Sequence, residues 1–203
     1  MSQIYAISDD TLTPDATIIS QATEILRSGV KFFQYRSKKP VKNEKIAREL
    51  LALCDDFEAK FIVNDDVKFA ASIGAKCVHI GVDDMDISSA REILGDDAFI
   101  GASCYNDLNL ALKAQQNGAS YVAFGSVFKS QTKPGAVICP LETIKQAKEI
   151  LNIPICAIGG INASNIAQIS ALRIDLIAVI NAVYRPKSIS ENLAQLRLAM
   201  SCL

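Results

Sequence analysis

The sequence predicts an α/β fold, a single parallel (βα)8 TIM barrel that takes residues 1–203 as one domain. Three observations predict it. Strand-like apolar runs alternate with amphipathic helical patterns eight times over. The runs are short and almost wholly apolar, as strands are when both faces of a parallel sheet are covered. Polar residues collect at or just past the C-terminal ends of those runs, the positions that a closed barrel gathers onto one rim. An open doubly wound sheet is the competing architecture. Its glycine-rich nucleotide fingerprint is missing from the first turn, Ser8-Asp9-Asp10-Thr11.

Taken in order, the first strand is Ile4–Ser8. Thr13 suits the cap of the following helix with Pro14 at its first position, Ile18, Ile19, Ala22, Ile25 and Leu26 form its apolar stripe, and Gly29 stops it. Phe32–Tyr35 is the second strand, followed by a helix with Ile46, Ala47, Leu50, Leu51 and Cys54 on one face. Phe61–Val63 and Cys77–Ile80 are the third and fourth strands, and Phe99–Ala102 is the fifth. The next helix opens at Asn106, turns Leu108, Ala111 and Leu112 inward and ends at Gly118. Tyr121–Phe124 is the sixth strand, and a long polar connection from Gly125 to Cys139 leads to a helix beginning near Pro140. Ile155–Ile158 is the seventh strand, ending in Gly159-Gly160, with Asn162 placed to cap the next helix. Leu176–Ile180 is the eighth, and Ile189, Leu193, Leu196 and Met200 form the stripe of the last helix.

Composition narrows the function. The chain is 50% hydrophobic and 21% charged, with a net charge of −1. That balance excludes a general attraction to nucleic acid or to an anionic membrane, while leaving room for a small basic site. No stretch reaches the roughly 20 apolar residues of a membrane span, and the first residues lack the pattern of a secretion signal. Cysteines 54, 77, 104, 139, 156 and 202 show no close pairing and lie mostly in apolar runs, as expected of free thiols in a reducing cytoplasm. The sequence leaves homo-oligomerisation open.

The chemistry is carried by the strand ends. Alternation along an extended chain puts Gln34, Arg36 and Lys38 on one side and Tyr35 on the other. An amide, a guanidinium fork and an ammonium on one face suit a phosphate or diphosphate group. Asp65 ends the third strand and Asp84 follows the fourth, so neighbouring barrel strands would bring their carboxylates together. Repulsion between them is relieved by a cation, and the pair resembles a Mg2+ site whose remaining ligands are waters and substrate phosphate oxygens. Asp66 and Asp83 are expected to point elsewhere or to cap helices. His79, the only histidine, lies within an apolar run and is expected to pack or to support another residue rather than act as a base. Ser103 ends the fifth strand and could hydrogen-bond a substrate.

The hydroxyl-rich connection containing Ser130, Gln131, Thr132 and Lys133 is long enough to fold over a phosphate as a lid. Gly159-Gly160 exposes backbone N–H groups at a helix start, and Asn181 ends the eighth strand; these two loops commonly hold phosphate in such barrels. Two phosphate-suited regions on one rim, one with a metal and one without, imply two phosphorylated small-molecule substrates that are joined.

These residues resemble the thiamine-phosphate synthase family, and the likeness runs from Tyr5 to about Tyr184. It rests on Gln34-Tyr35-Arg36-Ser37-Lys38, Ile62-Val63-Asn64-Asp65, Val78-His79-Ile80-Gly81 with Asp84, Gly101-Ala102-Ser103, Phe124-Gly125-Ser126-Val127-Phe128 through Thr132-Lys133, and Ala157-Ile158-Gly159-Gly160-Ile161. The resemblance implies a transferase joining 4-amino-2-methyl-5-hydroxymethylpyrimidine diphosphate to 4-methyl-5-(2-phosphoethyl)thiazole, or its carboxylated form, with release of diphosphate. It implies that Gln34, Arg36, Lys38, Asn64, Ser103 and Lys133 hold the pyrimidine diphosphate and that Asp65 and Asp84 bind Mg2+. It assigns Ser130, Gln131, Thr132, Gly160, Ile180 and Asn181 to the thiazole phosphate, and catalysis to Arg36, Lys38, Ser103 and Lys133. Two positions depart from the family pattern: Ser130 stands where a threonine is usual, and Asn181 where a serine is usual. The alternatives are a related thiazole tautomerase, whose expected histidine is Tyr105 here, and a non-catalytic ligand-binding barrel.

Overall fold

The computed structural model describes residues 2–130 and 135–201. Eight parallel strands close into a barrel in sequence order: β1 (Gln3–Ile7), β2 (Phe32–Tyr35), β3 (Lys60–Asn64), β4 (Cys77–Ile80), β5 (Phe99–Tyr105), β6 (Tyr121–Gly125), β7 (Ile155–Ile158) and β8 (Leu176–Val179). The ring is sealed where β8 pairs with β1, Tyr5 standing opposite Ala178. Helices α1 (Ile18–Arg27), α2 (Glu44–Asp56), α3 (Val67–Ile73), α4 (Ile87–Leu94), α5 (Leu108–Gln116), α6 (Leu141–Ile150) and α7 (Ile166–Ser170) cover the outside. The short α8 (Asn181–Tyr184) follows β8, and α9 (Ile189–Ser201) packs against α1 and α7.

Strand periodicity divides the core into two layers. One set of side chains, including Phe33, Tyr35, Val63 and Phe124, packs outward against helix stripes such as Ile25, Leu50 and Ile144. The other set, Tyr5, Ile7, Ile62, Tyr121, Cys156 and Leu176 with Phe32 and Phe99, fills the barrel. Each fully buried large aliphatic side chain contributes ~1.5–3 kcal/mol. The same alternation sends Gln34, Asn64, His79 and Ser103 inward at the mouth, while Tyr35 goes into the helix layer.

One inward position decides how the barrel fills. Gly101 on β5 stands in register with His79 on β4 and with Tyr121 on β6. The missing side chain at Gly101 makes room for the Tyr121 ring, which stacks on Phe99 at 5.3 Å and reaches across β5 to His79.

Several local expectations are corrected. The first helix begins at Ile18, not Pro14, because Thr13 is occupied elsewhere: its hydroxyl receives the Asp9 N–H and donates to the Asp9 carbonyl, closing the turn after β1. The cap of α5 is Asp107 rather than Asn106, its carboxylate taking the N–H groups of Asn109 and Leu110. Asn162 does not cap α7, whose N-cap is Asn165; Asn162 accepts the Ser164 N–H and shapes the preceding turn. Strand β5 runs on to Tyr105, and β8 stops at Val179, leaving Ile180 and Asn181 to open α8. Among the described residues the cysteines are free, and no helix is long and apolar enough to cross a membrane.

Candidate active site

The C-terminal mouth of the barrel opens into a cavity of about 680 Å³. It brings together Gln34, Arg36 and Lys38 from the end of β2, Asn64 and Asp65 from β3, Asp84 after β4, and Ser103 on β5. Ser130, Gly160, Ile180 and Asn181 line the same cavity from the loops after β6, β7 and β8. Gln131, Thr132 and Lys133 lie outside the described residues. Asp83 also borders the cavity and does not cap α4, whose cap is Asp86. Asp66 does cap α3, accepting the Phe69 N–H at 2.9 Å.

The cationic loop is held by the turn after β1. Ser8, only 1% exposed, receives the Arg36 N–H at 2.8 Å, and Asp10 takes the Ser37 hydroxyl at 2.8 Å and the Lys38 N–H at 2.7 Å. Asp9 lies 3.6 Å from the Arg36 guanidinium. Both backbone and charge are therefore set before any anion arrives, which reduces the ordering cost of binding one. Sequence reasoning missed Ser8, Asp9 and Asp10. The available signal was two acids and a hydroxyl at the end of a strand that neighbours the cationic one.

Asp65 ends β3 in the left-handed region, φ +64°, a conformation that aspartate tolerates better than most residues. Its N–H donates to the His79 carbonyl on β4 at 2.8 Å, and its carboxylate takes the Lys38 ammonium at 2.6 Å. Asp84 accepts the Gly81 N–H at 2.8 Å and lies within hydrogen-bonding contact of Asp65. The pair is electrostatically divided. Burial pushes Asp65 up, but Lys38 and the hydrogen bond with Asp84 outweigh it and hold that carboxyl below the usual range. Burial and the Asp65 charge together raise Asp84.

Below the rim a hydrogen-bonded line crosses the barrel. Gln34 Nε2 donates to the Tyr5 hydroxyl at 2.7 Å, which lies 3.1 Å from the Tyr121 hydroxyl. Tyr121 is 2.8 Å from His79 Nδ1, and His79 Nε2 is 2.9 Å from the Ser103 hydroxyl. His79 thus supports Ser103. A cysteine–histidine nucleophile is not formed, since Cys104 is wholly buried and its thiol is pushed up to about 12 by burial.

The far arc of the rim is built from backbone. Gly159 and Gly160 do not open a helix as expected, since α7 begins only at Ile166 after Asn165; they have φ of +107° and +65°, and the Gly159 carbonyl receives the Phe128 N–H at 3.0 Å. A Cβ at Gly160 would overlap the Lys129 carbonyl, so the loop after β6 and the loop after β7 lie in direct contact.

The thiamine monophosphate synthase family model matches residues 4–183. The chain belongs to that family. It is 46% identical over 183 residues to a thiamine-phosphate synthase of Thioalkalivibrio sulfidiphilus, covering 89% of this chain and 87% of the relative. A thiamine-phosphate synthase of Nitrosococcus oceani is 42% identical, covering 92% and 87%. The solved thiamine phosphate pyrophosphorylase of Pyrococcus furiosus superposes with a TM-score of 0.87 at 34% identity, covering 98% of this chain and 95% of that one.

For a member of the thiamine monophosphate synthase family, the donor set suits a hard divalent cation. Two carboxylates share one edge of the cavity, and among the described residues no group of three or more histidine, cysteine or acidic side chains forms a closed protein cage. Mg2+ is held in this way, through one or two carboxylates plus water and substrate phosphate. Lys38 pairs with Asp65 and offsets part of the negative charge of the two carboxylates.

Proposed function

We propose that this chain forms thiamine phosphate by joining 4-amino-2-methyl-5-hydroxymethylpyrimidine diphosphate to 4-methyl-5-(2-phosphoethyl)thiazole, or its carboxylated form, and releasing diphosphate. The observation that carries this reading is the sharing of one cavity by a carboxylate pair with cations and, on the opposite arc, a pair of left-handed glycines beside Asn181. On this reading one region takes a diphosphate with its metal, and the other takes a monophosphate in the loop at Gly160 beside Asn181.

In the reaction the bond between the pyrimidine methylene and the diphosphate oxygen breaks, its electron pair leaving with diphosphate. The thiazole nitrogen then donates its lone pair to the methylene cation. That nitrogen has no proton to lose, so no general base is needed. Arg36 and Lys38 offset the charge growing on the leaving group, with Lys133 from outside the described residues. Asp65 and Asp84 would hold Mg2+, which when bound would supply electrostatic stabilisation of the leaving diphosphate. Gln34, Asn64 and Ser103 hold the pyrimidine end, and Ser130, Gln131, Thr132, Gly160, Ile180 and Asn181 the thiazole phosphate.

The test is an assay of the purified chain for diphosphate and thiamine phosphate. The expected result is equal formation of both products that requires both substrates and Mg2+ and ceases with a chelator. Turnover unaffected by chelation, or no coupled product, would remove the reading. A second expectation concerns the Gly160 loop. Gly160→Ala forces a side chain into a left-handed backbone that contacts the Lys129 carbonyl, at ~1–3 kcal/mol of strain. The KM for the thiazole phosphate should rise about ten-fold while that for the pyrimidine diphosphate holds; parallel rises in both would contradict the assignment.

A further inference from the structure

We propose that Tyr105 is a specificity-determining residue of the mouth, an aromatic face for the flat pyrimidine of the diphosphate substrate. Which ring it meets rests on the function proposed above; that it offers a face to a flat ligand does not.

The case begins with a backbone that this side chain does not suit. Strand β5 shifts its register against β6 between Ser103 and Tyr105. Just beyond, the Asp107 N–H donates to the Cys104 carbonyl at 2.9 Å, closing a turn whose two central residues are Tyr105 and Asn106. Tyr105 takes φ +51° there. Glycine, asparagine and aspartate fill left-handed turn positions readily, whereas a bulky aromatic residue is held in one against its preference. Strain of this kind gathers at ligand sites. It does so here: of Glu58, Asp65, Tyr105 and Arg173, the non-glycine residues of positive φ among those described, Asp65 and Tyr105 line the cavity.

Nothing inside the protein offsets that strain. Tyr105 is 49% exposed, and among the described residues its hydroxyl makes no hydrogen bond and its ring no aromatic contact. The other tyrosine of the cavity, Tyr5, is buried and engaged by Gln34 and Tyr121, so the ring left for a ligand is that of Tyr105. Val82, exposed in the loop after the neighbouring β4, adds aliphatic surface to the same cavity. Apolar surface beside Asp84 and Lys38 fits a ligand that is anionic at one end and flat at the other. A diphosphate on the β2–β4 arc carries its ring toward β5, where Ser103 and Tyr105 are. A phenol face attracts an electron-poor heterocycle, more strongly as positive charge develops on the pyrimidine methylene.

The test separates the ring from the turn. Tyr105→Phe keeps the ring, whereas Tyr105→Asn suits the left-handed backbone and removes it. Calorimetric titration with the pyrimidine diphosphate and Mg2+, without the second substrate, gives the affinity; inorganic diphosphate, which has no ring, is the control. Tyr105→Asn should raise the Kd for the pyrimidine diphosphate about ten-fold, leave that for inorganic diphosphate within about two-fold, and melt no lower than the wild-type chain. Tyr105→Phe should bind both within about two-fold of wild type. Wild-type affinity in Tyr105→Asn, equal weakening toward both ligands, or a ten-fold loss in Tyr105→Phe would overturn the proposal. So would a Tyr105→Asn chain that fails to fold, since the ring would then be part of the packing. The expected binding pattern without coupled product would reject the proposed reaction and leave Tyr105 as the aromatic face.

Discussion

Asp84→Asn should lower kcat by about 10²–10³-fold and remove most of the response of turnover to Mg2+, an effect of the size seen when one preorganised charge-stabilising group is lost. Asparagine keeps an oxygen for the Gly81 N–H that Asp84 accepts at 2.8 Å, so the turn after β4 is retained. What disappears is one of two adjacent carboxylates. The Asp65 charge already raises Asp84, so the unliganded protein should not lose stability when Asp84 becomes neutral. The comparison is steady-state turnover across a Mg2+ series, with thermal unfolding of the metal-free protein alongside. A variant with normal turnover and a normal Mg2+ response would take Asp84 out of the metal site. One that simply unfolds would assign it to the turn instead.

Gly101→Ala should be the most damaging small substitution in the barrel. The new methyl would fall within the ring of Tyr121, against Cζ, Cε1 and the hydroxyl. A flexible side chain could swing aside, but this ring is fully buried, stacked on Phe99 at 5.3 Å and edge-on to Tyr5 at 6.2 Å. Overpacking of this kind costs ~3 kcal/mol or more, which for a chain of this size lowers Tm by about 6–12 °C. Movement of Tyr121 would also break its contact with His79, so kcat/KM for the pyrimidine diphosphate should fall in whatever fraction remains folded. Thermal unfolding with matched kinetics checks both. An unchanged Tm would mean that the barrel core has slack the packing does not suggest.

Much of the site was legible because its signals are local. The alternation that separates Gln34, Arg36 and Lys38 from Tyr35 is a property of any extended chain, and the structure buries Tyr35 under the helices while the other three line the cavity. The pairing of Asp65 with Asp84 needed one further assumption, that consecutive strands are neighbours, and β3 and β4 are. Asp66 as a cap followed from its place before a helix.

What escaped turns on which partner a side chain takes, near in sequence for Thr13 and distant for the rest. Thr13 looks like a helix cap until Asp9 claims its hydroxyl. Asp10 reads as an ordinary turn residue until β2 comes alongside β1 and the Ser37–Lys38 backbone needs an acceptor. Nothing near Tyr5 or Tyr121 suggests that their hydroxyls meet, since 116 residues separate them.

By itself the sequence determined the kind of element at each step, which face of it turns inward, and which charges reach the rim, because periodicity of two or 3.6 residues is written within a single segment. Only the tertiary structure decided how the strands are staggered around the ring. That stagger sets Gly101 level with both His79 and Tyr121 and so carries one unbroken line of hydroxyls to Ser103. Register is the sum of contacts between segments, and no segment contains it alone.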